Sequence, residues 1–166
     1  MLANFENISD QARVWIYQAD RPIGTEEKNV IIKDTEAFLS QWAAHGSALQ
    51  AAGDLLFDHF LVICIDESFQ MASGCSIDSS VRFVQELGQK LSIDFFKRTN
   101  LAFEVATGIE LIEMPKLKGQ IEAGVVNPDS VFFDNNIQNK AQLVNQWRVK
   151  AGESWLKRYF KASLSV

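Results

Sequence analysis

Apolar and polar positions along this chain follow two rhythms, and the places where the rhythm changes mark out its elements. Arg13-Val14-Trp15-Ile16-Tyr17-Gln18 is rich in β-branched and aromatic residues and predicts a first strand. Asp20-Arg21-Pro22-Ile23-Gly24 breaks it with turn-forming residues. Thr25 then predicts a helix N-cap, with Glu26 and Glu27 in the first turn, where acids suit the helix dipole. Ile31, Thr35, Phe38 and Trp42, with Leu39 beside them, recur at helical spacing. His45-Gly46 predicts the end of that helix, Gly46 taking the left-handed position just past it.

Leu55-Leu56-Phe57 and Phe60 to Ile65 are apolar runs separated only by Asp58-His59, which predicts a β-hairpin. Asp66-Glu67-Ser68 closes its second strand, and a Gly-Cys-Ser loop follows. From about Asp78 to Lys97, Val81, Val84, Gly88, Leu91 and Phe95 line one side of a second helix. Gly88 is a poor helix former, and its presence there implies close packing on a sheet. Leu101 to Val105 predicts a further strand, and Ile109 to Ile112 another, joined through Thr107-Gly108.

The order β-α-β-β-α-β is that of a ferredoxin-like core, in which two right-handed units place both helices on one face of an antiparallel sheet. The expected architecture is therefore α+β: one domain over residues 1–166, its core about 12–106, and a C-terminal helical extension about 114–166. Within the extension, Met114 to Glu122, Asn139 to Trp147 and Glu153 to Lys161 predict helices, and Val131-Phe132-Phe133 a short strand or buried loop. Trp15, Tyr17, Phe60, Val62 and Cys64 are assigned to one sheet face, and Val14, Ile16, Leu61, Ile63 and Ile65 to the other. Both faces are apolar, so both should be covered, and the side bearing Trp155, Leu156, Tyr159 and Phe160 is the expected cover.

Composition removes several functional classes. The longest apolar run, Phe60 to Ile65, is far short of the roughly 20 residues that span a bilayer. Met1 to Glu6 has neither a basic stretch nor an apolar one, so no secretory signal is expected, and Cys64 and Cys75 are too few for a disulfide framework. A reduced, cytoplasmic setting follows from these. The net charge of −5 is unevenly spread, since residues 148–161 hold five cationic side chains against Glu153 alone. The remaining acidic body disfavours nucleic acid, whose phosphates must be neutralised by Lys and Arg.

Four strings carry a family resemblance: Arg13-Val14-Trp15-Ile16-Tyr17-Gln18, Trp42-Ala43-Ala44-His45-Gly46, Ser73-Gly74-Cys75-Ser76-Ile77-Asp78-Ser79-Ser80 and Glu153-Ser154-Trp155-Leu156-Lys157-Arg158. Together they resemble a set of short, uncharacterised bacterial proteins found mainly in Bacteroidetes and often labelled "ABC transporter ATPase". The resemblance spans nearly the whole chain and implies a family without implying a function. The label fails on residues. Phosphate cradling by G-x-x-x-x-G-K-[ST] needs a Gly-Lys-Ser or Gly-Lys-Thr, and neither occurs; at Lys118-Gly119-Gln120 the order is reversed.

The chemistry-bearing cluster of the sequence is Gly74, Cys75, Ser76, Asp78, Ser79 and Ser80, expected around the start of the second helix. Backbone N–H groups and hydroxyls there suit a small anion such as phosphate or a carboxylate. The same residues suit a helix cap formed by Asp78 or Ser79. Cys75 is the candidate nucleophile, its thiol pKa expected to be lowered by the helix terminus, but His45 and His59 are both expected at the far end of the domain. Asp66, Glu67 and Asp78 form an alternative carboxylate set, although no recognisable metal-ligand spacing accompanies them and no cofactor is expected. The sequence thus predicts a non-enzymatic module for a small anion or a protein partner, with a homodimer open to it. A small enzyme using Cys75 or the Asp66, Glu67 and Asp78 carboxylates is the alternative.

Overall fold

A computed structural model describes residues 1–164. They form a mixed α+β protein with antiparallel sheets, in two compact units: Met1–Lys97 with Gln138–Leu143, and Arg98–Ile137 with the chain from Val144 onward.

The first unit opens with β1 (Arg13–Gln18) and α1 (Thr25–Gln41), followed by the two-residue strands β2 (Ala43–Ala44) and β3 (Ser47–Ala48). The hairpin of β4 (Gln50–Leu56) and β5 (Phe60–Asp66) comes next, then α2 (Gly74–Leu91). The main sheet has the order β1-β5-β4, antiparallel throughout. Register decides which side chains share a face, because residues directly opposite one another point the same way. Trp15 lies opposite Ile63 and Tyr17 opposite Leu61, so Trp15, Tyr17, Leu61, Ile63 and Ile65 share the helix-facing core with Leu39 of α1 and Val84 of α2. The opposite face carries Val14, Phe60, Val62 and Cys64, all buried. The face assignment read from the sequence is therefore corrected: β5 is out of step with β1 by one residue, which exchanges its two sets of side chains.

β5 and α2 run so that α2 returns antiparallel to α1, and the helix ends meet. Trp42 caps α1, and its indole Nε1–H donates to Ser76 O at 2.9 Å and Ser79 Oγ at 3.2 Å. At the other end, Arg21 beside the start of α1 donates to Leu91 O at the end of α2, at 2.8 Å. His45-Gly46 does not end α1; these residues, at φ of 51° and 78°, form the turn of the β2–β3 hairpin. The left-handed backbone expected at Gly46 is present, in a different element. The β4–β5 turn also uses two left-handed residues, Phe57 and Asp58, with His59 N–H donating to Leu56 O.

The fourth strand of a ferredoxin-like sheet would lie along the free edge of β1. Residues 138–140 hold that edge: Val14 N–H donates to Gln138 O and Lys140 N–H to Ala12 O, both at 3.0 Å, around an Arg13–Asn139 bridge. The strand expected there, Leu101 to Val105, instead belongs to the sheet of the second unit. β6 (Asn100–Val105) folds back through a tight turn onto β7 (Gly108–Glu113), and its other edge takes β8 (Val131–Phe133). With both edges used, β6 has no ladder to offer β1.

The second sheet has the order β7-β6-β8-β9, ending in β9 (Arg148–Lys150), which the sequence pattern did not indicate. A 3-10 turn at Met114–Lys116 carries Pro115 ahead of α3 (Leu117–Glu122), and α4 (Lys140–Asn145) lies at the changeover between units. The last helix is α5 (Lys157–Leu164). Leu156 and Phe160, expected to cover the first sheet, are core residues of the second unit with Leu101, Phe103, Ile112, Leu117 and Phe132. Trp155 stays 38% exposed, edge-on to Phe132 and Tyr159.

Candidate functional site

The Gly-Cys-Ser segment is helical from Gly74, four residues earlier than expected, because Ser73 is the cap. Ser73 Oγ accepts from Ser76 N–H at 3.1 Å, and Ser76 Oγ accepts from Ser73 N–H at 2.8 Å, a reciprocal box. Capping by Asp78 or Ser79 is thus corrected: Asp78 is an exposed residue of the second turn. The serine hydroxyls are spent inward. Ser76 donates to Ser73 O, Ser79 to Ser76 O and Ser80 to Ile77 O, and Ser76 and Ser80 are buried. Gly74 and Cys75 remain exposed at the terminus with Asp78.

The two histidines separate. His59 lies in the β4–β5 turn, buried, its Nδ1 2.9 Å from Phe57 O. A seven-residue strand at about 3.3 Å per residue puts this turn roughly 20 Å from the far end of β5, where the loop to α2 begins. His45, expected from the sequence at the far end of the unit, does not lie there. It follows Trp42, which is bonded to the first turns of α2, because antiparallel helices bring the end of α1 to the start of α2. No hydrogen bond joins either histidine to Cys75 among the described residues. Cys64, in the middle of β5, is held protonated by burial, its thiol pKa pushed up to about 12.

The carboxylates also part company. Glu67 is spent on structure, with Oε2 accepting from Ala72 N–H at 2.9 Å and Oε1 lying 3.8 Å from Arg13 Nη1. Arg13 in turn stacks over Trp15 at 4.7 Å. Asp66 uses one oxygen only, Oδ1 accepting from Ser68 N–H and Oγ–H. Asp66 also lines a cleft of about 190 Å³, with Ala3, Asn4, Asn7, Ile8, Ser9, Gln50 and Phe69. Among the described residues no group of three or more His, Cys, Asp and Glu side chains is placed to hold a metal ion.

The cleft is built from both ends of the first unit's sequence. Gln50 and Asp66 are direct partners across β4 and β5, so their side chains emerge together on the face away from α1 and α2. The opposite wall is the 4–9 loop. Asn4 Oδ1 accepts from the N–H groups of Glu6 and Asn7, leaving its amide donors free, and Ser9 Oγ accepts from Gln11 N–H. Lys140 holds this loop in place. Its ammonium is buried and donates to Phe5 O at 2.5 Å, Glu6 O at 2.8 Å and Ile8 O at 3.4 Å, and it lies over the Phe5 ring. Phe69 projects from the β5–α2 loop at the rim, 71% exposed, with Met71 two residues on at 67%. Sequence reasoning found Asp66 but missed Asn4, Asn7, Ser9 and Gln50, since nothing local in the sequence announces a loop pinned by a lysine more than 130 residues away.

Compared with family models, with curated proteins and with solved structures, this chain matches none. The described helices include none long and apolar enough to cross a membrane. The class of the protein therefore rests on its own residues: a mixed α+β chain with a small polar cleft at one end of its first sheet.

Proposed function

We propose that this chain is a binding module and that the cleft beside Asp66 receives its ligand. The observation that carries the reading is unspent hydrogen-bonding capacity on both walls of one cleft: Asp66 Oδ2, the Asn4 amide donors, the Asn7 side chain and the Ser9 hydroxyl proton. Asn4 and Asn7 are exposed and Ser9 and Asp66 half-buried, and polar groups converging on one space are the usual makeup of a polar ligand site. The anion reading of the Gly74–Ser80 turn keeps fewer donors, because the Ser76, Ser79 and Ser80 hydroxyls are committed to their own helix. A nucleophilic role for Cys75 lacks a hydrogen-bonded base. The likeness to the Bacteroidetes family adds no ligand, and its ATPase label has no phosphate-cradling motif behind it.

The test is an amide-resolved NMR titration of the full chain with a panel of small cationic, neutral and anionic fragments. Shifts centred on Asn4, Asn7, Gln50, Asp66 and Phe69 are expected. Shifts centred instead on Gly74 to Ser80 would move the site to the helix terminus and overturn the cleft.

A further inference from the structure

We infer that the group taken by this cleft is an alkylammonium, an inference that rests on the binding role proposed above. Asp66 is the one ionisable side chain among the lining residues, and its Oδ2 has no partner within the protein. Among the described residues no cation is bonded to it. Arg13 sits beside Glu67, the Met1 ammonium donates to Leu49 O at 2.5 Å, and the Lys140 ammonium is spent on three carbonyls. A carboxylate oxygen without a hydrogen-bond partner favours a cationic donor over an anion.

The remaining walls fit the same group. An ammonium has three protons to donate and nothing to accept with, so it needs acceptors around it. Asp66 Oδ2, the Gln50 carbonyl oxygen and the Asn7 carbonyl oxygen are the available acceptors; the Gln50 amide nitrogen is already turned to Met1 Sδ at 3.1 Å, which leaves its oxygen free. Phe69 supplies an exposed aromatic face at the rim, which attracts a cation, and Ile8 and Ala3 supply apolar wall for a carbon chain. At about 190 Å³, the cleft has room for a butyl chain and its head group. The ammonium can arrive as a free amine or as the side chain of a lysine in a partner protein.

The decisive experiment titrates the full chain, followed by amide NMR shifts, with n-butylammonium, 1-butanol and butyrate, and with a blocked Gly-Lys-Gly peptide. The expected result is saturable shifts around Gln50, Asp66 and Phe69 with the ammonium and the peptide only. Tighter binding of the peptide than of butylammonium would identify a lysine side chain as the source, and the reverse a free amine. Asp66→Asn keeps an oxygen for Ser68 and should weaken binding at least tenfold with an unchanged melting temperature. Phe69→Leu, fully at the surface, should weaken it a few-fold and serves as the second variant should Asp66→Asn unfold. Butanol or butyrate binding as well as butylammonium, or binding unaffected by both substitutions, would overturn the cation inference and leave the cleft reading standing. An absence of cleft shifts with every probe would overturn both.

Discussion

Arg21 grips Glu27 with both prongs of its guanidinium, Nη1 to Oε1 at 2.9 Å and Nη2 to Oε2 at 2.7 Å. The same Arg21 Nη2 donates to Leu91 O, and Glu27 Oε1 accepts from Gly24 N–H at 3.1 Å. One ion pair thus ties the start of α1 to the end of α2. The guanidinium beside it, with the Gly24 hydrogen bond second, holds the Glu27 carboxyl down at about 2.

An acid-stability prediction follows from the sign of that shift. A carboxyl that titrates lower in the folded chain binds fewer protons there than in the unfolded chain. Its stabilisation is complete above the ordinary value of 4.5 and is lost as pH falls toward about 2. The pair is partly open to solvent, so the effect should be modest. Melting temperatures measured from pH 6 to pH 2 should fall less steeply for Arg21→Gln than for the unmodified chain. Parallel curves would show that the pair contributes nothing to folding.

The cap of α2 gives a second prediction. Ser73→Ala removes the acceptor for Ser76 N–H and should cost about 0.5–2 kcal/mol in a denaturant melt. Asp78→Ala, at an exposed site with no side-chain hydrogen bond, should stay within about 0.5 kcal/mol. Equal effects at the two positions would place the start of the helix elsewhere.

Gly88 gives a third. A Cβ there would stand 2.5 Å from Ile93 O and 3.5 Å from Phe95 Cδ2, because the chain leaving α2 folds back across it after the left-handed Ser92. Alanine gains roughly 1 kcal/mol of helix propensity over glycine. Forcing the Ile93 carbonyl aside costs typically 1–3 kcal/mol, so Gly88→Ala should be destabilising on balance. A variant that melts higher than the parent would show that the segment after α2 yields freely.

These three sites also show what can be read from sequence. Gly88 signals close packing, but its neighbour is the chain's own return past Ser92 and not a sheet, since a single glycine does not say what approaches it. Thr25 and Asp78 look like caps by residue type, whereas the caps are Gly24 and Ser73, one and five residues earlier. The strands of the first unit are legible because their apolar runs are local. Their faces are not, since a one-residue offset between β1 and β5 exchanges every side chain. The fate of Leu101 to Val105 turns on competition between a neighbouring hairpin partner and a distant sheet edge, and the nearby partner has the shorter loop to close. Within the site, Asp66 is visible as a strand-ending acid, while the cleft around it exists only through the long-range anchor at Lys140.

Leu156 tests the role of the C-terminal segment. It is fully buried in the second unit's core beside Phe160, so Leu156→Ala should cost about 2–5 kcal/mol by denaturant unfolding. Trp155→Ala, at a partly exposed ring, should cost clearly less. A silent Leu156→Ala would mean that this stretch docks loosely and is free to meet a partner.

The two cysteines should behave as opposites. Cys75 is exposed on the first turn of α2, whereas Cys64 is buried in β5 with its pKa raised to about 12, against an ordinary 9.0. Burial is the larger cause, and the nearby Lys140 charge only tempers it. A thiol held protonated by the fold stabilises the folded chain fully below about pH 9.0, and that contribution is lost as pH rises toward 12. A thiol reagent at neutral pH should therefore label one site per folded chain, with the second appearing only at the unfolding midpoint. Cys75→Ser should abolish the folded-state labelling without changing the melt. Cys64→Ser should lower the melt, because a hydroxyl is costlier to bury than a thiol. Prompt labelling of Cys64 in the native chain would show that the face of the sheet away from α1 and α2 opens readily, and with it the wall that Lys140 holds against the cleft.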